Sequence, residues 1–158
     1  MCDIEEDIWA PKYGLKGKID ATVQVVIDAK NAVARHREFH TMPLEIKTGH
    51  QFAAMEHRAQ TILYTLLISE RYGTETPAGL LFYTQNEEVS QVPARWKEIR
   101  SLIMMRNDIA GYLMTRLRAT GPEKHMDKEF LLPSTIDQER SCSRCYVADG
   151  CMLYRKVS

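Results

Sequence analysis

The stretch MPLEIKTG, residues 42–49, sets Glu45 and Lys47 two apart in a strand-like run that begins after Pro43 and stops at Gly49. Successive side chains of a strand leave on opposite faces, so Leu44 and Ile46 share one face and Glu45 and Lys47 the other. One face suits a core; the other is free for chemistry. Alone, an E-x-K triplet reads as an edge-strand ion pair of little energetic weight. The surrounding chain decides whether it is more.

The chain has 158 residues, 44% hydrophobic and 27% charged, which fits one globular domain able to bury a core. Lysine plus arginine balances aspartate plus glutamate at 21 each, so any nucleic-acid site must be a local patch. The amino terminus, MCDIEED, is acidic, and the longest apolar run, ILYTLLI at 62–68, is too short to span a bilayer. The expectation is a soluble, non-secreted protein without a membrane partner. Cys142, Cys145 and Cys151 crowd the carboxy terminus, which suits a metal site in a reducing compartment better than a disulfide framework.

Outward from MPLEIKTG, the segment 14–28 alternates, with Ile19, Ala21, Val23, Val25 and Ile27 on one side and Lys18, Asp20, Thr22 and Gln24 on the other. This predicts a half-buried strand. Residues 28–41 are polar and basic and read as a connection. From Phe52 to about Arg71, Phe52, Met55, Ala59, Ile62, Leu63, Leu66 and Leu67 follow a three-four spacing, an amphipathic helix ended by Gly73. Residues 78–84 read as a buried strand and 87–93 as its hairpin partner. A second helix is expected from Ala94 to Ala119, with Trp96, Ile99, Leu102, Ile103, Ile109, Leu113 and Leu117 inward. The domain reading is 1–119 for the core, 120–140 for a polar linker and 141–158 for the cysteine-rich segment.

If the two strands are neighbours, Asp20 meets Glu45 and Lys47. Two carboxylates offer hard oxygen ligands to magnesium, the carbonyl of Ile46 can add a third, and water can complete the octahedron. Such an ion activates water and stabilises charge growing on a phosphodiester, with the Lys47 ammonium beside it. Asp20, Glu45 and Lys47 are thus the candidate catalytic residues, and Asp20, Glu45 and Ile46 the candidate magnesium ligands.

The order Asp20, then Glu45-Ile46-Lys47, resembles the core of the PD-(D/E)XK nucleases. Gln60 and Tyr64 form Q-x-x-x-Y one turn apart on the following helix. That pair resembles the extra motif of the RecB-like branch, in which these residues contact substrate. Arg58, with His57, lies on the same helix and is a further candidate for DNA phosphates. The arginines of the second helix, Arg95, Arg100, Arg106, Arg116 and Arg118, could track a phosphate backbone. By spacing, Cys142-x2-Cys145-x5-Cys151 suits zinc or iron–sulfur ligation, zinc being the default. The iron–sulfur RecB-like nucleases carry three cysteines of this type and a fourth far upstream, so the resemblance implies a 4Fe–4S cluster that clamps the fold.

DIEEDIWAPKYGLKGKID, MPLEIKTG, EHRAQTILYTLL, ERYG and AGLLFY together resemble the nuclease domain of the eukaryotic replication helicase/nucleases of the Dna-two type, over nearly the whole chain. The resemblance implies an α/β fold, a mixed central sheet flanked by helices with a carboxy-terminal iron–sulfur segment. It also implies magnesium-dependent cleavage of single-stranded DNA and 5′ flaps, in Okazaki-fragment processing, DNA replication and double-strand-break resection. A single-strand-binding protein as partner, a helicase domain in cis, and a nuclear location with mitochondrial use follow from the same resemblance. Two departures stand out. No phosphate-binding G-x-x-x-x-G-K-[ST] is present, so no ATPase is expected in this stretch. The fourth cluster cysteine and an upstream helix are missing, and Cys2 reads better as a free thiol than as a replacement. The chain is therefore expected to be a fragment of poor activity. The alternatives are a CRISPR-adaptation-type iron–sulfur exonuclease and a non-enzymatic zinc-binding module.

Overall fold

The structure, a computed structural model, describes residues 2–27, 38–49, 54–119, 135–136 and 138–157. The elements follow in the order β1 (Asp3–Ala10), β2 (Leu15–Ile27), β3 (Glu38–Lys47), α1 (Ala54–Tyr72), β4 (Ala78–Tyr83), β5 (Glu88–Pro93), α2 (Trp96–Ala119), α3 (Glu139–Cys142) and α4 (Ala148–Val157). By packing, the chain falls into two units, Met1–Arg106 and Asn107–Ser158, with the division inside α2.

The first unit is built on one five-stranded sheet in the order β1-β2-β3-β4-β5. β3 and β4 run parallel, with Leu44 opposite Leu80 and Lys47 opposite Tyr83; the other pairs are antiparallel. A parallel pair needs a crossover, and α1 supplies it. The fold is thus α/β with a mixed sheet, as expected from the sequence. The acidic amino terminus, which reads as polar, is a strand: its alternation buries Glu6, Ile8 and Ala10. β3 begins at Glu38, so residues 38–41 of the expected connection are strand, and 28–37 lie outside the described residues.

α1 packs one apolar cluster of Ile8, Ala10, Ile19, Leu67 and Ile68, and Ile62 joins a second with Leu81, Tyr83 and Val92. Each buried isoleucine, leucine or valine among them contributes about 1.5–3 kcal/mol. Two buried threonines of the helix satisfy their hydroxyls locally, Thr61 on the carbonyl of His57 at 2.8 Å and Thr65 on that of Ile62 at 2.7 Å. The approach to the sheet is close: a Cβ on Gly79 would lie 2.4 Å from Cγ2 of Thr61. Gly73, with φ +64°, ends the helix in the left-handed conformation that glycine adopts cheaply. Met55, expected inward, is 84% exposed, and Phe52 lies outside the described residues.

Only the start of α2 serves the core of the first unit. Ile99 and Leu102 pack against the second cluster, whereas Trp96, Ile109 and Leu113, all expected inward, are exposed. An apolar periodicity shows that a face can be buried, not that it is; the side chain of Leu117 is outside the described set. In the second unit, α3 and α4 flank a turn in which the amide of Cys145 donates to the carbonyl of Cys142 at 3.2 Å and that of Ala148 to Cys145 at 3.1 Å. Among the described residues no helix is long and apolar enough to cross a membrane.

Candidate active site

β2 does not keep one alternation from end to end. Ile19 packs on Leu67 and Ile68 of α1, so the odd positions face the helix there. Thr22, an even position, is fully buried on the same side, donating at 2.8 Å to Glu6, which also accepts from the Tyr72 hydroxyl at the end of α1. The pattern therefore switches between Ile19 and Thr22. Opposite this switch Glu5 holds φ +51°, and the register pairs Ile4 with Ala21 and Glu6 with Ile19 without pairing Glu5 to Asp20. Alternation from Ile19 to Ile27 is the sequence expectation; the local kink interrupts it between Ile19 and Thr22.

The kink sends Asp20 toward β3. Its Oδ2 accepts the amide of Ile46 at 2.7 Å, tying the two strands just beyond their last registered pair, Ala21 with Leu44. Glu45, next to that amide, is 3% exposed. Its Oε1 lies 2.5 Å from Nζ of Lys47, while Oε2 is buried with no hydrogen-bond partner. Burial, and secondarily the charge of Asp20, hold the Glu45 carboxyl above its ordinary range, against the opposing pull of Lys47.

α1 lays its polar stripe over this pair. Lys47 Nζ donates to Oε1 of Gln60 at 3.0 Å, Nε2 of Gln60 donates to the Tyr64 hydroxyl at 2.9 Å, and that hydroxyl donates to the carbonyl of Lys18 at 2.8 Å. The Tyr64 phenol is pushed up, chiefly by burial. Gly17 makes room for it: a Cβ there would sit 2.9 Å from Cε1 of the ring. Asp20, Glu45, Lys47, Gln60 and Tyr64 thus come together from β2, β3 and α1. Gln60 and Tyr64 serve here as a bracket that fixes Lys47, with their polar atoms engaged inside the protein.

Arg58 is placed elsewhere. It makes a two-pronged pair with Glu98 at 2.7 and 2.9 Å, beside a groove of about 320 Å³ lined by Met55, Ala59, Ile62 and Leu102. The thiols of Cys142, Cys145 and Cys151 are free, the first two exposed; Sγ of Cys142 lies 3.5 Å from the Ile136 carbonyl. No group of three His, Cys, Asp or Glu side chains poised to hold a metal occurs among the described residues. The donor set at Glu45 nevertheless fits magnesium: two adjoining carboxylates, one with an orphaned buried oxygen, suit a hard cation that takes one or two carboxylates and keeps its waters.

Sequence reasoning missed two polar pairs. Glu6, 7% exposed, is held by Thr22 and Tyr72, with Arg71 at 3.5 Å. His57 Nδ1 meets the Tyr83 hydroxyl at 3.0 Å. The second was open to discovery, since His57, Gln60 and Tyr64 share one helical face.

Residues 1–25 match the family model described as DNA replication factor Dna2. The chain is 39% identical over its whole length to the DNA replication ATP-dependent helicase/nuclease dna2 of Schizosaccharomyces pombe, covering 10% of that protein. It is 40% identical to the human DNA2 protein of the same description over 98% of the chain and 14% of the relative. With the Arabidopsis thaliana helicase/nuclease JHS1 it shares 36% identity over 99% of the chain and 11% of the relative. The chain thus spans a small part of the length of these relatives.

Proposed function

We propose, on the premise of this homology to a segment of the DNA2 helicase/nucleases, that the chain carries a magnesium-dependent site for hydrolysing single-stranded DNA, on a PD-(D/E)XK core of the RecB-like kind. The observation that carries the reading is the Asp20–Glu45–Lys47 cluster, in which a buried carboxylate oxygen without a partner adjoins a second carboxylate and an ammonium group.

Asp20, Glu45 and the carbonyl of Ile46 would hold the ion, which when bound supplies an activated water and neutralises charge at the phosphate. Lys47, held by Gln60, carries a positive charge to the place where negative charge grows on the phosphoryl oxygens. Tyr64 keeps Gln60 in register by anchoring it to β2, and α1 closes one side of the site. Cys142, Cys145 and Cys151 are free thiols of the chemistry an iron–sulfur cluster takes, and we assign them by their spacing to a 4Fe–4S cluster whose fourth ligand is not among them, although in this structure they are not gathered as a ligand set. In the longer proteins this segment would work beside a helicase in cis, on 5′ flaps and broken ends during DNA replication, with a single-strand-binding protein, in the nucleus and the mitochondrion.

The test is digestion of a labelled single-stranded oligonucleotide by the purified chain, prepared anaerobically, with magnesium or with EDTA, alongside Glu45→Gln. Magnesium-dependent cleavage lost in the variant is expected. Cleavage that survives Glu45→Gln unchanged, or none by a folded chain holding its cluster, overturns the reading.

A further inference from the structure

We propose that His57 is a further positioning residue, its Nε2 holding a backbone phosphate of the substrate strand beside the one being cut; this rests on the nuclease reading above.

His57, Gln60 and Tyr64 stand at i, i+3 and i+7 on α1, so they form one stripe. The last two bracket Lys47; His57 lies three residues before Gln60, about 4.5 Å along the axis, on the order of the ~3.4 Å rise per nucleotide of a duplex strand. Its ring is anchored from behind. Nδ1 meets the hydroxyl of Tyr83 at 3.0 Å, and the rings are tilted at 48° with centroids 5.8 Å apart. Tyr83 is 2% exposed, closes β4, and is the register partner of Lys47 on β3. The histidine is therefore tied to the strand position next to the catalytic lysine.

The hydrogen bonding also bears on which ring nitrogen is presented. In the proposed tautomer Nδ1 accepts the Tyr83 hydroxyl proton, which gives that buried phenol its acceptor and puts the ring proton on Nε2. That nitrogen lies on the far side of the ring from Tyr83, on a partly buried side chain, and has no hydrogen-bond partner among the described residues. The helix backbone at this point is secured as well, because the His57 carbonyl accepts from Thr61 at 2.8 Å. The result is an oriented N–H donor in line with the residues that hold Lys47, suited to a phosphate oxygen. It would act alike on every nucleotide, since a phosphate contact positions a strand without reading its bases.

The experiment measures oligothymidylate binding by anisotropy in EDTA, and KM and kcat for its cleavage in magnesium, for the chain and for His57→Ala, His57→Gln and Tyr83→Phe, with a melting temperature for each. Expected are about tenfold weaker binding and higher KM for His57→Ala at little cost in kcat, partial recovery in His57→Gln, and an intermediate loss in Tyr83→Phe. If His57 merely satisfies the buried phenol, His57→Ala lowers the melting temperature, binding is unchanged and Tyr83→Phe is silent; that result overturns the proposal. So do losses of binding that track melting temperature across all the variants. A folded parent chain that neither binds nor cuts the oligonucleotide sinks the nuclease reading itself, a failure recognisable without any variant.

Discussion

Lys47 Nζ and Glu45 Oε1 lie 2.5 Å apart on one face of β3, and this pairing leaves the other oxygen of the same carboxylate buried without a partner. One half of the group is neutralised and the other is not. The stability of the fold and the affinity for a cation should therefore be coupled at a single side chain.

Glu45 has its proton affinity raised above the ordinary value of 4.5, by burial first and Asp20 second. A carboxyl raised on folding binds its proton more tightly folded than unfolded, so ionisation costs stability. That cost is absent below 4.5 and develops as pH rises through the folded value. Without magnesium, Glu45→Gln should melt above the parent at neutral pH and converge with it in acid. Magnesium should raise the melting temperature of the parent alone. A variant that melts lower than the parent at neutral pH would count against the buried orphan oxygen.

Removing Lys47 strips the neutralising charge from a buried carboxylate and, in the proposed reading, the positive group from the reaction. Lys47→Met should lose about a hundred- to a thousandfold in kcat. Its melting temperature should fall too, and Lys47→Met with Glu45→Gln should recover stability without recovering cleavage. Equal stability of the single and double variants would show the two groups to be uncoupled.

Tyr64→Phe keeps the ring and removes the hydroxyl that links Gln60 to the Lys18 carbonyl. Stability should fall by about 1 kcal/mol, while kcat falls by more than that loss explains because Lys47 is no longer bracketed. Gly17→Ala should mimic it by displacing the ring. Denaturant midpoints beside single-turnover rates separate the two effects.

The positive φ of Glu5 is a cost that glycine would not bear. Glu5→Gly should raise the melting temperature despite the loss of the exposed pair with Lys18, whereas Glu5→Ala, which keeps the strained backbone and loses the pair, should not. If the two variants melt alike, the kink stores no strain.

The grouping of Glu45 with Lys47 and of Gln60 with Tyr64 was legible in local periods of two and four residues, but the face was not: Ile46, expected in the core, is 41% exposed, while Glu45 is 3% exposed under α1. Asp20 was found for a reason that proved incomplete: alternation gives the face, but the strand switches phase between Ile19 and Thr22, and only the positive φ at Glu5 across the ladder marks the place. β1 was hidden because its inward Glu6 looks like a surface residue until Thr22 and Tyr72 are seen to satisfy it. The outer half of α2 was misread because an apolar period says that a face can be buried, not that anything stands opposite it.

The missing side chain at Gly79 sets how deeply α1 settles on the sheet, and with it the gap between the polar stripe of that helix and the strands bearing Asp20 and Glu45. It works as a spacing gauge. A single methyl placed there would lever the helix outward and open the Lys47–Gln60 contact, silencing the site with every charged residue intact. In the proposed reading, loss of activity can thus arise at a position that carries no functional group, and variants at Gly79 belong with those at Glu45 when the site is probed.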